Sequence, residues 1–158
     1  MDKLRNAMPD LTLRTAVIVG FPGETDAQFE ELVDFVRHVR FERLGAFAYS
    51  REEGTPAAAL PHQVPERVKQ ERLHELMTVQ QEISESLNRG LVGRTLRVLV
   101  DREGRDEGCA LVGRTQGDAP EIDNEVLITD GDAQVGAFAD VAVTQAHGYD
   151  LVGSVRPA

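Results

Sequence analysis

The segment Val17-Ile18-Val19-Gly20-Phe21-Pro22-Gly23-Glu24-Thr25 decides how the first half of this chain is interpreted. A short β-branched run ends there in a Gly-Phe-Pro-Gly turn. Thr25 then stands three residues before Gln28, which is the spacing of a capping box at the start of a helix. The segment therefore predicts a strand, a turn at the carboxyl end of that strand, and a helix.

The turn is also a candidate binding site. Gly20 and Gly23 carry no side chains, so a ligand could approach the backbone closely. Glu24 places a carboxylate beside whatever binds. In parallel α/β folds, ligands bind at the carboxyl ends of the strands. The position of the turn therefore favours a site at this edge.

A second strand is predicted after the helix. Residues 26–40 have apolar side chains at helical spacing, which indicates an amphipathic helix that covers a sheet. Residues 44–49 are predicted to be the second strand, and the strand–helix–strand order indicates that the two strands are parallel. The polar residues 50–57 therefore follow Tyr49 at the same sheet edge as the first turn. The two loops form either a joint site or two ordinary turns.

The second half of the chain has a different pattern. Pro65 can begin a long helix that ends near Arg89, with Gly90 as its stop and an apolar stripe of Leu73, Leu76, Met77, Ile83 and Leu87. Beyond it, glycine and β-branched residues replace helical periodicity. Five short strands are predicted, at residues 94–100, 109–114, 125–129, 134–144 and 147–154. Strands at this spacing predict a small closed β-barrel.

The charge of the chain restricts its partners. The net charge is −10, and residues 91–158 contribute −6 of it, from six basic and twelve acidic residues. An acidic surface repels nucleic acid and favours basic partners, although it also simply confers solubility. The loop at residues 118–124 carries Asp118, Glu121 and Asp123. It is either a plain surface loop or a contact for a basic partner.

Several classes of protein are excluded by what the sequence lacks. It has one cysteine, Cys109, so no internal disulfide can form, and a reducing, cytoplasmic location is expected. No apolar run reaches the length of a membrane span, and no export signal follows Met1. The four histidines are scattered, and no zinc, Walker A or Ser-His-Asp pattern is present. Within its predicted strand, Cys109 is interpreted as a small buried hydrophobic residue.

Together these motifs resemble a known family. Gly20-Phe21-Pro22-Gly23-Glu24-Thr25, with Tyr49-Ser50 and Gly54-Thr55-Pro56-Ala57 further on, is similar to the radical S-adenosylmethionine methylthiotransferases. The tRNA-modifying, MiaB-like branch usually has Ser-Pro-Arg-Pro-Gly-Thr after the tyrosine. Ser50-Arg51-Glu52-Glu53-Gly54-Thr55 instead resembles the ribosomal-protein branch, RimO. Further similarity lies at Phe29-Glu30, Leu60-Pro61, Gln63-Val64-Pro65, Gln80-Gln81, Ile83-Ser84, Asp118-Ala119-Pro120-Glu121-Ile122-Asp123 and Tyr149-Asp150-Leu151 with Gly153.

The resemblance implies a fold and a set of domains. Residues 1–60 would be the C-terminal part of a radical S-adenosylmethionine β/α barrel, and residues 61–90 a linking helix. Residues 91–158 would be a five-stranded, OB-like TRAM barrel. The fold class expected is thus α/β plus all-β.

The resemblance also implies an activity and its cofactors. The RimO branch adds a methylthio group to the β-carbon of an aspartate in the twelfth small-subunit ribosomal protein. It uses S-adenosylmethionine and two [4Fe–4S] clusters. The residues expected to contact S-adenosylmethionine are Gly20, Gly23, Glu24 and Tyr49. The residues expected to contact the basic ribosomal protein are Asp118, Glu121 and Asp123. Membrane is not expected as a partner, and nucleic acid is disfavoured.

One departure from the family is large. The radical enzymes need a Cys-x-x-x-Cys-x-x-Cys motif for a cluster, and Cys109 is the single cysteine here. We therefore expect this chain to correspond to the C-terminal portion of such an enzyme, to lack the N-terminal part with its cluster ligands, and to be inactive by itself. Two alternatives stay open, namely a portion of a MiaB-like tRNA methylthiotransferase and a stand-alone binding module.

Overall fold

The computed structural model describes residues 1–104 and 108–156. The chain divides into two compact units, Met1–Ile83 and Ser84–Ala158. The boundary between them falls inside one long helix.

The first unit is built on a strand–helix–strand arrangement. Its elements are a short helix α1 (Asp2–Ala7), β1 (Arg14–Val19), α2 (Asp26–Val39), β2 (Arg43–Ala48), a 3₁₀ turn (Pro56–Ala59) and the part of the long helix α3 (Glu66–Arg89) that ends at Ile83. β1 and β2 pair in parallel, with Val19 opposite Ala48. The predicted βαβ unit is confirmed.

Helix α2 begins where the sequence indicated. The Thr25 hydroxyl accepts a hydrogen bond from the Gln28 N–H, and the Gln28 side chain accepts one from the Thr25 N–H at 3.0 Å. This capping box satisfies backbone donors that the first turn of a helix leaves unpaired. The apolar side of α2 is then buried, through Phe29, Val33, Val36 and Val39.

The two faces of the β1/β2 sheet differ in burial. Side chains alternate between the faces, so Val19 and Leu44 are buried on one side. On the other side Ile18 and Phe47 lie in register, and they are 57% and 61% exposed. Parallel sheets are ordinarily covered on both faces. One apolar face of this sheet is therefore left open by the described residues.

Helix α3 buries an unusual mixture of side chains. Leu76, Val79 and Ile83 are buried, as helical spacing requires. Five polar residues are equally buried on this helix: Lys69, Arg72, Gln80, Ser84 and Asn88. Leu73, Met77 and Leu87, which were expected in the stripe, are only half-buried. Among the residues described, no helix is both long and apolar enough to cross a membrane.

The second unit is a closed five-stranded barrel, as predicted. Its strands are β3 (Thr95–Glu103), β4 (Leu111–Arg114), β5 (Val126–Asp130), β6 (Phe138–Ala146) and β7 (Leu151–Val155). Around the barrel they follow the order β3-β4-β5-β7-β6, in which β5 and β7 pair in parallel and the other pairs are antiparallel. The core consists of Val98, Val100, Leu111, Val126, Ile128, Val141, Val143 and Leu151.

Three predicted strands begin too early. Residues 134–137 form a turn that is closed by a hydrogen bond from the Ala137 N–H to the Gln134 carbonyl oxygen at 3.0 Å, and Gly136 within it has φ +85°. Residues 147–150 form a loop closed by a hydrogen bond from the His147 N–H to the Asp150 carbonyl oxygen at 2.8 Å. Cys109 precedes β4 and is half-buried, with its Sγ 3.2 Å from the Leu111 carbonyl oxygen. The prediction of a buried strand cysteine was wrong.

Two buried glycines permit the strands of the barrel to approach closely. A Cβ at Gly113 would lie 2.4 Å from the Leu99 carbonyl oxygen. A Cβ at Gly153 would lie 2.5 Å from the Ala142 carbonyl oxygen and 2.6 Å from Val141 Cγ1. Because the first atom met is backbone in each case, the strand itself would have to move.

Gly153→Ala is therefore expected to lower the free energy of unfolding of the barrel by about 1–3 kcal/mol, as overpacking does. Urea unfolding followed through the methyl resonances of the barrel would measure this. Gly45→Ala in β2 is the control, because its nearest heavy atom is 3.8 Å away. Its effect should stay within about 1 kcal/mol. Equal stability of Gly153→Ala and the parent would contradict the packing described here.

Candidate functional site

The carboxyl ends of β1 and β2 lie side by side. The Tyr49 N–H donates to the Val19 carbonyl oxygen at 2.9 Å, which continues the pairing past the last strand residues. Gly20 and Gly23 both have positive φ, +74° and +87°, the left-handed region that glycine adopts without strain. The structure thus brings the residues predicted at this edge into one neighbourhood.

Glu24 is engaged within the protein. Its Oε1 accepts a hydrogen bond from the Gly20 N–H at 2.9 Å and another from Arg72 Nη1 at 2.6 Å. The side chain is only 14% exposed. The carboxylate therefore closes the glycine turn from inside and connects it to helix α3.

Arg72 is the residue that the sequence did not reveal. Its side chain is 7% exposed, and Nη2 donates to Asp26 Oδ1 at 2.6 Å while Nη1 donates to Glu24 Oε1. Its Cζ lies 5.5 Å from the centroid of the Phe29 ring. Arg72 thus joins α3 to the turn after β1 and to the first residue of α2. In the sequence it is one charge among many on a charged helix, so no local signal could have identified it.

Lys69 occupies the space above Gly20. A Cβ on Gly20 would lie 2.4 Å from Lys69 Cγ, so the missing side chain makes room for the lysine stem. Lys69 Nζ donates to the Tyr49 carbonyl oxygen and to Glu66 Oε2, each at 2.9 Å. Hydrogen bonds from Gln70, and secondarily from Lys69, hold the pKa of Glu66 below its ordinary value. The close approach predicted at Gly20 is therefore made by helix α3.

Tyr49 is buried with an unsatisfied hydroxyl. Its ring meets Phe21 edge-on at a centroid distance of 5.2 Å, and the residue is 9% exposed. The hydroxyl is buried and has no hydrogen-bond partner among the described residues. Burying such a group unpaired costs about 1–3 kcal/mol. A polar partner from outside the described residues is therefore expected here.

The loop after Tyr49 is organised by its own residues. The Thr55 hydroxyl caps the 3₁₀ turn by accepting from the Ala58 N–H, and Arg51 Nε donates to the Ala58 carbonyl oxygen at 3.0 Å. The loop surrounds an open cavity of about 710 Å³ whose lining includes Arg51, Glu53 and Thr55. These bonds are ordinary turn chemistry.

The carboxylates of the acidic loop at residues 118–124 also form hydrogen bonds within the protein. Asp118 Oδ2 accepts from the Thr115 N–H at 3.1 Å and from its hydroxyl at 2.6 Å. Asp123 Oδ2 accepts from the Ala119 N–H. Glu121 is exposed, with φ +62°. Two of the three predicted partner contacts therefore stabilise the loop itself.

Comparison with known proteins shows what the barrel and the whole chain are similar to. A family model of the TRAM domain matches residues 92–155, which include all five barrel strands. Ribosomal protein uS12 methylthiotransferase RimO of Roseiflexus sp. (strain RS-1) is 54% identical over 157 residues, 98% of this chain. The proteins of the same name from Syntrophotalea carbinolica and Clostridioides difficile are 49% and 51% identical, each over 153 residues. Over 98% of its length this chain is thus homologous to proteins named RimO, and its barrel is a TRAM domain.

The RimO-like chain spans about a third of the length of the curated relatives it matches: 33% of the Roseiflexus protein and 34% of the other two. This share fits the expected C-terminal portion of such an enzyme. The family resemblance and the TRAM domain, both predicted from motifs, are confirmed.

The cluster ligands of the parent family are not found in this RimO-like chain. A [4Fe–4S] cluster is held by cysteine thiolates, and the sequence has Cys109 only. Within residues 1–104 and 108–156, no group of three or more His, Cys, Asp or Glu side chains could hold a metal ion. The residues present do not fit an iron–sulfur cluster.

Replacing Arg72 by Met tests the ion pair at the strand ends. Met keeps part of the hydrophobic length but leaves the Glu24 carboxylate without its cation, so we expect a loss of about 3 kcal/mol in the free energy of unfolding. Urea unfolding would measure it. Arg67→Met is the matched control, because the Arg67–Glu71 pair on the same helix is exposed, and its loss should stay below about 0.5 kcal/mol. Equal small losses in both variants would refute the role given to Arg72.

Proposed function

We propose that this chain is the C-terminal portion of a cytoplasmic RimO-type enzyme that methylthiolates an aspartate of ribosomal protein uS12. In this proposal residues 1–60 are the last β/α part of the radical S-adenosylmethionine barrel and residues 61–90 are the linking helix. Residues 91–158 are the TRAM domain, and they recognise the substrate protein. By itself the chain binds but does not catalyse.

The open face of the β1/β2 sheet supports the assignment of residues 1–60. Strands of a β/α barrel carry helices outside and fill the barrel interior with branched and aromatic side chains. Ile18 and Phe47, in register and more than half exposed, are the kind of residues such an interior needs. Further strands of the parent enzyme would cover them.

The strand ends support a contact with S-adenosylmethionine. Gly20, Gly23 and Tyr49 lie at the edge where parallel α/β folds bind ligands. The buried Tyr49 hydroxyl has no hydrogen-bond partner among the described residues, and a polar atom of the ligand could supply one. Glu24 contributes by holding the Gly20 N–H and so fixing the turn. In the parent family, S-adenosylmethionine supplies the radical that abstracts hydrogen from the substrate.

Electrostatics favour a basic protein over tRNA as the partner of the barrel. Residues 91–158 carry a net charge of −6. Ribosomal proteins neutralise RNA phosphates and are therefore basic, so an acidic barrel attracts them and repels a polyanion. This observation favours uS12 over the MiaB-like alternative.

Binding of purified uS12 to the chain tests the partner. We expect an affinity that falls as salt rises from about 0.1 M to about 1 M, because the Debye length shortens from about 10 Å to about 3 Å. Isothermal calorimetry would measure it, with unmodified tRNA as the comparison ligand. Binding of tRNA without measurable binding of uS12 would support the MiaB-like alternative and contradict the proposal.

The metal content after anaerobic reconstitution tests the predicted inactivity. We expect iron and sulfide far below one cluster per chain, since a cluster needs several thiolates and Cys109 is one. Cys109→Ala is the control, and its iron content should equal that of the parent. A stoichiometric cluster that Cys109→Ala abolishes would overturn this part of the proposal.

A further inference from the structure

We propose that the uS12 segment docks in a groove on the outside of the barrel, between β3, β6 and the turn that follows β5. We call it the β3/β6 groove; its lining includes Arg97, Asp130, Asp132, Phe138, Asp140 and Val155. The inference rests on the proposed function and assigns its binding surface. It differs from the sequence-based expectation, which placed the contact at Asp118, Glu121 and Asp123.

The shape of the β3/β6 groove suits a polypeptide segment. Its volume is about 1180 Å³, beyond the roughly 300–1,000 Å³ of small-molecule pockets. Its apolar lining consists of Ala133, Ala137, Phe138, Ala139 and Val155. Phe138 is 62% exposed, which is a large apolar surface to leave in water. The groove therefore offers apolar contact as well as charge.

The carboxylates around the groove are available to a ligand. Asp130, Asp132 and Asp140 are all exposed. Within residues 1–104 and 108–156, no hydrogen bond or ion pair engages these three side chains. The acidic loop behaves differently, because Asp118 and Asp123 accept bonds from their own loop. Charge that is not used inside the protein is thus concentrated at the groove.

Arg97 covers part of the Phe138 ring and leaves the rest of the ring open to a ligand. Its Cζ lies 4.8 Å from the centroid of the Phe138 ring, in a cation–π contact. The ring nevertheless stays mostly exposed, so its remaining surface can receive the aliphatic stem of an incoming lysine or arginine. The cation at the end of that stem would then reach the neighbouring aspartates.

The balance of charge selects the occupant. An exposed aromatic ring beside an arginine also resembles the stacking platforms that bind single-stranded nucleic acid. Here, however, three aspartates line the groove against two arginines, Arg97 and Arg156. A polyanion would meet net repulsion, whereas a lysine- and arginine-rich protein segment would meet attraction.

The test compares two triple variants with the same change in charge. D130N/D132N/D140N neutralises the groove, and D118N/E121Q/D123N neutralises the acidic loop. Binding of purified uS12 is measured by calorimetry for the parent chain and both variants at about 0.1 M salt, where charge contacts are still felt. Thermal unfolding checks that both variants fold.

We expect the groove variant to bind uS12 about tenfold more weakly and the loop variant to stay within about twofold of the parent. Phe138→Ala should also weaken binding, because the apolar contact is lost.

If the loop variant loses affinity and the groove variant keeps it, the groove is not the site, although the proposed function survives. If the parent chain itself does not bind uS12, the proposed partner is wrong. Displacement of uS12 by an oligouridine that Phe138→Ala no longer binds would overturn the inference in favour of RNA.

Discussion

The pairing of the Arg72 guanidinium with the Glu24 carboxylate is the constraint on which the first unit depends. Both groups are largely removed from water, and each would be costly to leave unpaired. Glu24 also holds the Gly20 N–H, so the geometry of the glycine turn is set from the helix behind it. Lys69, one turn before Arg72 on α3, fills the space over Gly20 and binds the Tyr49 carbonyl oxygen. One helix thus fixes both strand ends.

This arrangement changes how the chemistry of the turn should be understood. A glutamate after two glycines suggests a ligand contact, yet here the carboxylate accepts hydrogen bonds from the Gly20 N–H and from Arg72. The Gly23 N–H is likewise used within the protein, since it donates to the His62 carbonyl oxygen at 2.9 Å. Among the described residues of this edge, the buried Tyr49 hydroxyl is a polar group left without a partner. The charged residues at the turn therefore hold it in shape.

The barrel separates structural and available charge in a similar way. Asp118 and Asp123 accept hydrogen bonds from residues of their own loop, while the carboxylates near Phe138 are exposed. Net charge alone makes the whole domain look equally suited to a basic protein. The hydrogen bonds divide it into a self-stabilised loop and a surface with unused charge beside an apolar ring. Binding energy is more readily obtained at the second surface, because no internal bond must be broken first.

The sequence by itself determined the elements whose signals are local. Helix α2, the parallel βαβ order, the long helix from Glu66 to Arg89 and the five barrel strands follow from periodicity, capping and turn residues close together in the chain. The motifs likewise determined the family. Only the tertiary structure decided which polar residues of α3 are buried and that Glu24 pairs with Arg72, 48 residues away. No local pattern encodes such a partner, since burial of a charge depends on which distant backbone packs against it.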